Sequence, residues 1–264
     1  MAEIITVVNQ KGGVGKTTTS VNLGAAFAQL NKKVLLIDID AQCNLTTHLG
    51  IKSIHDEEDP PEGSQFKVTA KNSIYELLKG TKNIKECITN RSKNIDVIIA
   101  NLLLSAADLE LGGIVGRELI LKRAIETIKD NYDYIVIDCP PALGLLSLNA
   151  LAAGNKVIIP VQSEYLALHG VRQLLDTIDQ VRSIYNPTLS VQGVLICLHD
   201  NRKRLARAVS DTIRAYFGDL VFNSVIKTNV ALAEAPASGD TIFEYAPKSS
   251  GAEDYMALAK EIIG

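Results

Sequence analysis

The stretch VVNQKGGVGKTTTS, Val7 to Ser20, decides how the rest of the chain reads. A β-branched run, IITVV, precedes it and a helical pattern, TTTSVNLGAAFAQL, follows. Between them, glycines 12, 13 and 15 let successive backbone N–H groups turn inward on an anion, which side chains would obstruct. Thr17 and Thr18 open a helix whose positive end faces the same anion. Gly12, Gly13, Val14, Gly15, Lys16, Thr17 and Thr18 thus form the expected phosphate cradle. Lys16 is placed to reach the β- and γ-phosphates of a nucleotide, and the Thr17 hydroxyl to ligate Mg²⁺. The spelling departs from the usual loop at two places: Gln10 stands where a glycine is customary, and Lys11 adds a second cation. Two lysines this close repel unless polyphosphate neutralises both.

Working outward, short apolar runs (KVLLIDID, IDVIIA, YIVIDCP, KVIIPVQ, VQGVLICL) alternate with amphipathic stretches such as RELILKRAIETIKDNY and HGVRQLLDTIDQVRSIY. Continuous apolar strands separated by helices predict an α/β fold, a mostly parallel twisted sheet with helices on both faces. Ligands of such sheets sit beyond the carboxyl ends of the strands. Asp38, Asp40 and Asp138 fall at those ends, and Asp38 and Asp40, two residues apart, share one face of an extended segment. Residues 51–70, IKSIHDEEDPPEGSQFKVTA, break the rhythm and read as an exposed acidic loop within one domain spanning 1–264.

Composition narrows the classes further. Across 264 residues the formal charge is −3, so any nucleic-acid surface must be local. The four cysteines, Cys43, Cys87, Cys139 and Cys197, are widely spaced without a CxxC and read as reduced thiols. No apolar run approaches the ~20 residues of a membrane span and no signal peptide opens the chain, so a cytoplasmic protein is expected.

KGGVGKTT resembles the deviant phosphate loop of the ParA/MinD class of P-loop ATPases, whose hallmark is the extra lysine. The longer segments RELILKRAIETIKDNYDYIVIDCPPALGLLSLNAL, VIIPVQSEYLALHGVRQLLDTI and SSGAEDYMALAKEI resemble the short ParA/Soj-type partitioning proteins over essentially the whole chain. The resemblance implies that Lys11 crosses to the phosphates of a partner subunit, making homodimerisation ATP-dependent. It implies that Asp40 orients the attacking water, that Asp138 holds Mg²⁺ through water, and that Asp38 supports the metal's water or the loop itself. Asn229, and Lys227 through its backbone, would contact the adenine. No glutamate follows Asp138, so slow hydrolysis is expected.

In this group the ATP-bound dimer binds double-stranded DNA without sequence preference, close to the nucleoid, and a ParB-like partner stimulates hydrolysis. The best local surface for that is HDNRKRLARAVSDTIRAYF, where Arg202, Lys203, Arg204, Arg207 and Arg214 outnumber Asp200 and Asp211. Two departures stand against the family's spelling: Ala41 and Cys43 replace the Pro and Gly of DPQGN, and KTNVALAEAPAS replaces PRNVRLSEAPS, removing an arginine at Ala231. A MinD-like membrane ATPase would need a basic amphipathic tail after LAKEIIG. Iron–sulfur relatives would need paired cysteines, and an ATP-gated adaptor would lack partner-stimulated turnover.

Overall fold

The computed structural model describes residues 2–53, 66–163 and 167–264, with side chains from 170 onward in the last of these. Its strands are β1 (Glu3–Val7), β2 (Val34–Asp38), β3 (Ile51–Ser53), β4 (Val68–Ala70), β5 (Ile88–Ser92), β6 (Ile95–Ile98), β7 (Tyr134–Asp138), β8 (Lys156–Gln162), β9 (Ser190–His199) and β10 (Val221–Lys227). Eight of them form one sheet in the order β10-β9-β8-β1-β7-β2-β6-β5. Only β5 runs antiparallel, against β6. The α/β expectation, a largely parallel sheet, therefore holds.

Alternation along each strand supplies two cores. Ile4 of β1, Leu35 and Ile37 of β2, and Ile135 and Ile137 of β7 face one side, packed by Leu121, Ile125, Leu174, Ile178, Val209 and Ile213 from helices. Ile5 and Val7, Val34 and Leu36, and Val136 face the other, against Val21, Leu23 and Phe27 of the helix Lys16–Gln29 and Tyr255 and Leu258 of the helix Ser250–Ile263. Strands apolar on both faces require this double cover. Phe27 also stacks flat on Tyr134, ring centroids 3.9 Å apart.

Register positions the site. Val7 pairs with Asp138, and Asp38 pairs with Asp138, so β1, β7 and β2 end in one row. The phosphate-loop segment leaves that row and returns as the helix Lys16–Gln29 lying close on the sheet. Gly24 makes the approach possible: a Cβ there would stand 2.4 Å from Leu36 Cδ2.

The expected loop at 51–70 is narrower than the sequence suggests. Ile51–Ser53 and Val68–Ala70 are strands that pair in parallel as a separate two-stranded sheet, and Lys67 forms an ion pair with Asp240. Three-residue strands are too short to show an alternation in sequence. Residues 54–65, including the acidic DEED, lie outside the described residues. No described helix is long and apolar enough to cross a membrane.

Replacing Gly24 by valine puts branched carbon where Leu36 already sits, in a fully buried layer. Overpacking of this kind costs about 1–3 kcal/mol. Gly24→Val is expected to lower the thermal midpoint clearly, with Gly24→Ala intermediate; a midpoint equal to the parent's would remove Gly24 as the close-contact residue.

Candidate functional site

The loop after β1 is braced before any ligand arrives. Asn9 donates from Nδ2 to the Pro160 carbonyl (2.6 Å) and accepts the Lys11 N–H on Oδ1 (3.0 Å). Gly13 and Gly15 take left-handed backbone angles, φ 73° and 93°, which glycine adopts without steric cost. Val14 is buried. Lys16, also buried, folds back to donate from Nζ to the Lys11 carbonyl at 3.0 Å. Burial lowers the Lys16 pKa, opposed by the charges of Asp138, Cys139 and Asp40.

Asp138 ties the sheet to the helix start. Thr17 Oγ1 donates to its Oδ2 at 2.7 Å and Ser20 Oγ to its Oδ1 at 2.8 Å. The carboxyl is fully buried, and burial followed by the neighbouring Asp38 pushes its pKa up to about 7, against the Thr17 and Ser20 hydroxyls and Lys16. Ser20 was absent from the sequence-derived site. Its spacing three residues after Thr17, on the same helix face, is the signal that could have found it.

Asp38 is occupied internally. Its Oδ2 accepts from Thr46 N (2.9 Å) and Thr46 Oγ1 (2.7 Å), and its Oδ1 from Asp40 N (3.1 Å). Of its two expected roles, this arrangement matches support of the loop. Burial raises its pKa to about 6. Thr46 Oγ1 also accepts the Ala100 N–H at 3.0 Å, which links the Asp38 segment to the end of β6.

Asp40 lies one step further out. It lines a cavity of about 440 Å³ with Gly12, Gly13, Gly15, Lys16, Thr17 and Thr18. Its Oδ1 accepts from Gln42 N at 3.0 Å. Cys43, where the family commonly writes glycine, takes φ 55° and starts the short helix Asn44–His48. His48 lines the same cavity; burial pushes its pKa down to about 4, and its Nε2 has no hydrogen-bond partner among the described residues.

A smaller apolar cavity of about 120 Å³ adjoins this one, lined by Gly15, Thr18, Cys197, Leu198, Ile226, Asn229, Leu232, Ala233 and Tyr255. Asn229, expected at the adenine, lines this cavity, and its side chain caps the next helix through Ala231 N (2.8 Å) and donates to Ser250 (2.7 Å). Lys227 is not among the residues lining this cavity: its Nζ pairs with Asp254 at 2.7 Å and its N–H donates to the same carboxylate.

The basic residues divide into three groups. Arg202 is chelated by Asp200, Nε to Oδ1 at 3.0 Å and Nη2 to Oδ2 at 3.1 Å, which depresses the Asp200 pKa to about 2. Lys203 and Arg204 stand exposed at the start of the helix Arg204–Phe217. Arg207 and Arg214 face a groove of about 510 Å³ shared with His199, Lys227 and Asp254. No disulfide joins any of the four cysteines.

A family model described as an AAA domain matches residues 2–191. The chain is 46% identical to the sporulation initiation inhibitor protein Soj of Bacillus subtilis, covering 99% of this chain and 98% of that one. It is 43% identical to the chromosome-partitioning ATPase Soj of Treponema pallidum, covering 100% and 98%. The chain belongs to the ParA/Soj family. A crystal structure described as cobyrinic acid a,c-diamide synthase of Mycobacterium smegmatis with bound ADP and magnesium superposes with a TM-score of 0.80, at 34% identity over 98% of this chain and 93% of that one.

The raised Asp138 pKa has a definite sign in stability. Burial raises the Asp138 pKa to about 7, whereas an ordinary aspartate titrates at ~3.9. The group's stabilising contribution is complete below about pH 4 and is lost as pH rises through 7. Without metal or nucleotide, the thermal midpoint of the parent relative to Asp138→Asn is expected to fall between pH 4 and 7. Parallel melting curves across that range would refute the buried ionisation.

Proposed function

We propose that this chain is an ATP- and Mg²⁺-dependent partitioning ATPase, its 264 residues acting as one domain. The observation that carries the reading is the Thr17–Asp138–Ser20 tie at the foot of a glycine-rich loop that holds Lys16 beside Asp40. Family membership supports it, as do the partitioning ATPase named in Treponema and the ADP and magnesium named in the Mycobacterium structure.

The oxygens available suit magnesium, a hard cation that takes hydroxyl, carboxylate and phosphate ligands and keeps several waters. Thr17 would ligate it directly and Asp138 through water, and when bound the ion neutralises charge on the phosphates. Around it the protein acts by positioning. Gly12, Gly13 and Gly15 present backbone N–H groups to the phosphates, and Lys16 exchanges the Lys11 carbonyl for them. Asp40, held through its bond from Gln42, orients the attacking water. Cys139, Pro140 and Pro141 follow Asp138 in place of a catalytic glutamate, so turnover is slow without a partner.

Lys11 reaches the phosphates bound by a second copy, so ATP joins two chains into a sandwich homodimer. The dimer binds double-stranded DNA without sequence preference through the 202–214 surface, which gives a cytoplasmic protein held at the nucleoid. A ParB-like partner stimulates hydrolysis and releases it.

Lys11→Ala is expected to bind ATP but to remain a single copy in light scattering, whereas Asp40→Ala dimerises with ATP and releases phosphate at least tenfold more slowly. An ATP-dependent Lys11→Ala dimer would sink the cross-subunit role. On unrelated DNA duplexes, Arg207→Ala with Arg214→Ala should weaken binding more than Arg202→Ala, whose charge Asp200 already offsets. Each lost phosphate contact lowers the salt slope by about 1; gel shifts at several salt concentrations with ATP, ADP and no nucleotide read this directly.

A further inference from the structure

Leu198 occupies a backbone conformation that leucine ordinarily avoids. Its φ is 53°, and unlike Asn31, another non-glycine residue in that region, its side chain offers no polar group to compensate locally. The cause is a bulge. Ile196 pairs with Val225 and His199 with Lys227, so Cys197 and Leu198 of β9 together face the single Ile226 of β10. Bulges of this kind re-aim a side chain and concentrate next to functional sites.

The residues on either side are pinned. Cys197 is buried against the phosphate loop, where a Cβ on Gly15 would stand 3.7 Å from its own Cβ. His199 is held by Ser163 at 3.1 Å and Asn201 at 2.7 Å, and its carbonyl accepts the Thr228 N–H. The surplus residue is thrown outward, and Leu198 stands 41% exposed. It is thrown outward at one particular place. Gly15, Thr18 and Leu198 are the residues common to the polar phosphate cavity and the small apolar cavity.

Resting on the nucleotide reading above, we infer that Leu198 is a positioning residue for the nucleoside half of the ligand. With triphosphate on Lys16, the sugar and base must cross this junction to reach the apolar cavity, and the bulge places a branched apolar side chain against them. The exposed leucine is covered when the nucleotide is bound, which offsets the unfavourable backbone. Its apolar side chain offers the phosphates no hydrogen bond.

The test compares Leu198→Gly, which removes the side chain and suits the backbone, with Leu198→Asn, which tolerates φ > 0, and Leu198→Met, which stays apolar. Calorimetric affinities are measured for Mg-ATP and for magnesium with inorganic tripolyphosphate, together with unfolding of the ligand-free proteins. Leu198→Gly and Leu198→Asn are expected to bind ATP about tenfold more weakly, with tripolyphosphate affinity unchanged and no loss of thermal midpoint. Leu198→Met stays near the parent. Unchanged ATP affinity in the Gly and Asn variants would overturn the inference, as would equal weakening of ATP and tripolyphosphate, which would make the bulge a support of the phosphate loop. A parent that fails to bind ATP would instead remove the nucleotide reading, before any variant is compared.

Discussion

The organisation of this protein depends on keeping a carboxylate, Asp138, wholly out of solvent at the end of a central strand. A buried charge is tolerated only when hydrogen-bonded or paired. Here the two oxygens are answered by hydroxyls from one helical turn, Thr17 and Ser20, with the buried ammonium of Lys16 as the nearest cation influence. Asp38 sits beside it in register and makes the position worse, since each acid disfavours ionisation of the other. Two buried acids side by side are the arrangement that a divalent cation relieves.

The same constraint accounts for the geometry around it. The hydroxyls reach Asp138 only if the helix begins where β1 ends, and β1 must then lie next to β7, as it does. A helix starting there runs back across the sheet, and Gly24 permits the spacing over Leu36. On the other side, Asp38 spends its oxygens on Thr46 and the Asp40 N–H, so the segment carrying Asp40 is held by the acid that borders Asp138. Thr46 in turn receives the Ala100 N–H. The water-orienting aspartate of the proposed mechanism is thus held at both ends, by its own N–H on Asp38 and by the Gln42 N–H on its carboxylate.

What could be read beforehand was whatever announces itself locally. Glycines 12, 13 and 15 before Lys16, the apolar runs of β1, β2, β7 and β8, and Asp138 closing its strand all have a signature within a few residues, and all lie where expected. Features that depend on distant pairing did not show. Thr46 matters because Asp38 lies under it and Ala100 beside it. β3 and β4 become strands by finding each other across the segment between them. Counting charge put Arg202 with Arg207 and Arg214, whereas geometry gives Arg202 to Asp200. Lys227, expected at the adenine through its backbone, sends its side chain to the basic groove, where it pairs with Asp254, a contact between distant segments. Leu198 had no sequence signal, since a bulge is a property of two strands together.

That bulge also bears on how a nucleotide could reach the basic surface. Successive residues of β9 face different cavities: Leu198 lines the apolar one beside the phosphate loop, and His199 lines the groove containing Arg207 and Arg214. The neighbouring parallel strand β10 and the residues after it repeat the arrangement, with Lys227 on the groove and Asn229 on the apolar cavity, and the Thr228 N–H bonded to the His199 carbonyl. A ligand that presses on Leu198 and Asn229 therefore acts on two strand ends whose adjoining residues floor the arginine groove. Coupling through packed, hydrogen-bonded neighbours needs an element with two arrangements and ligands that favour one of them. The bulged end of β9 places neighbouring residues, Leu198 and His199, on those two cavities.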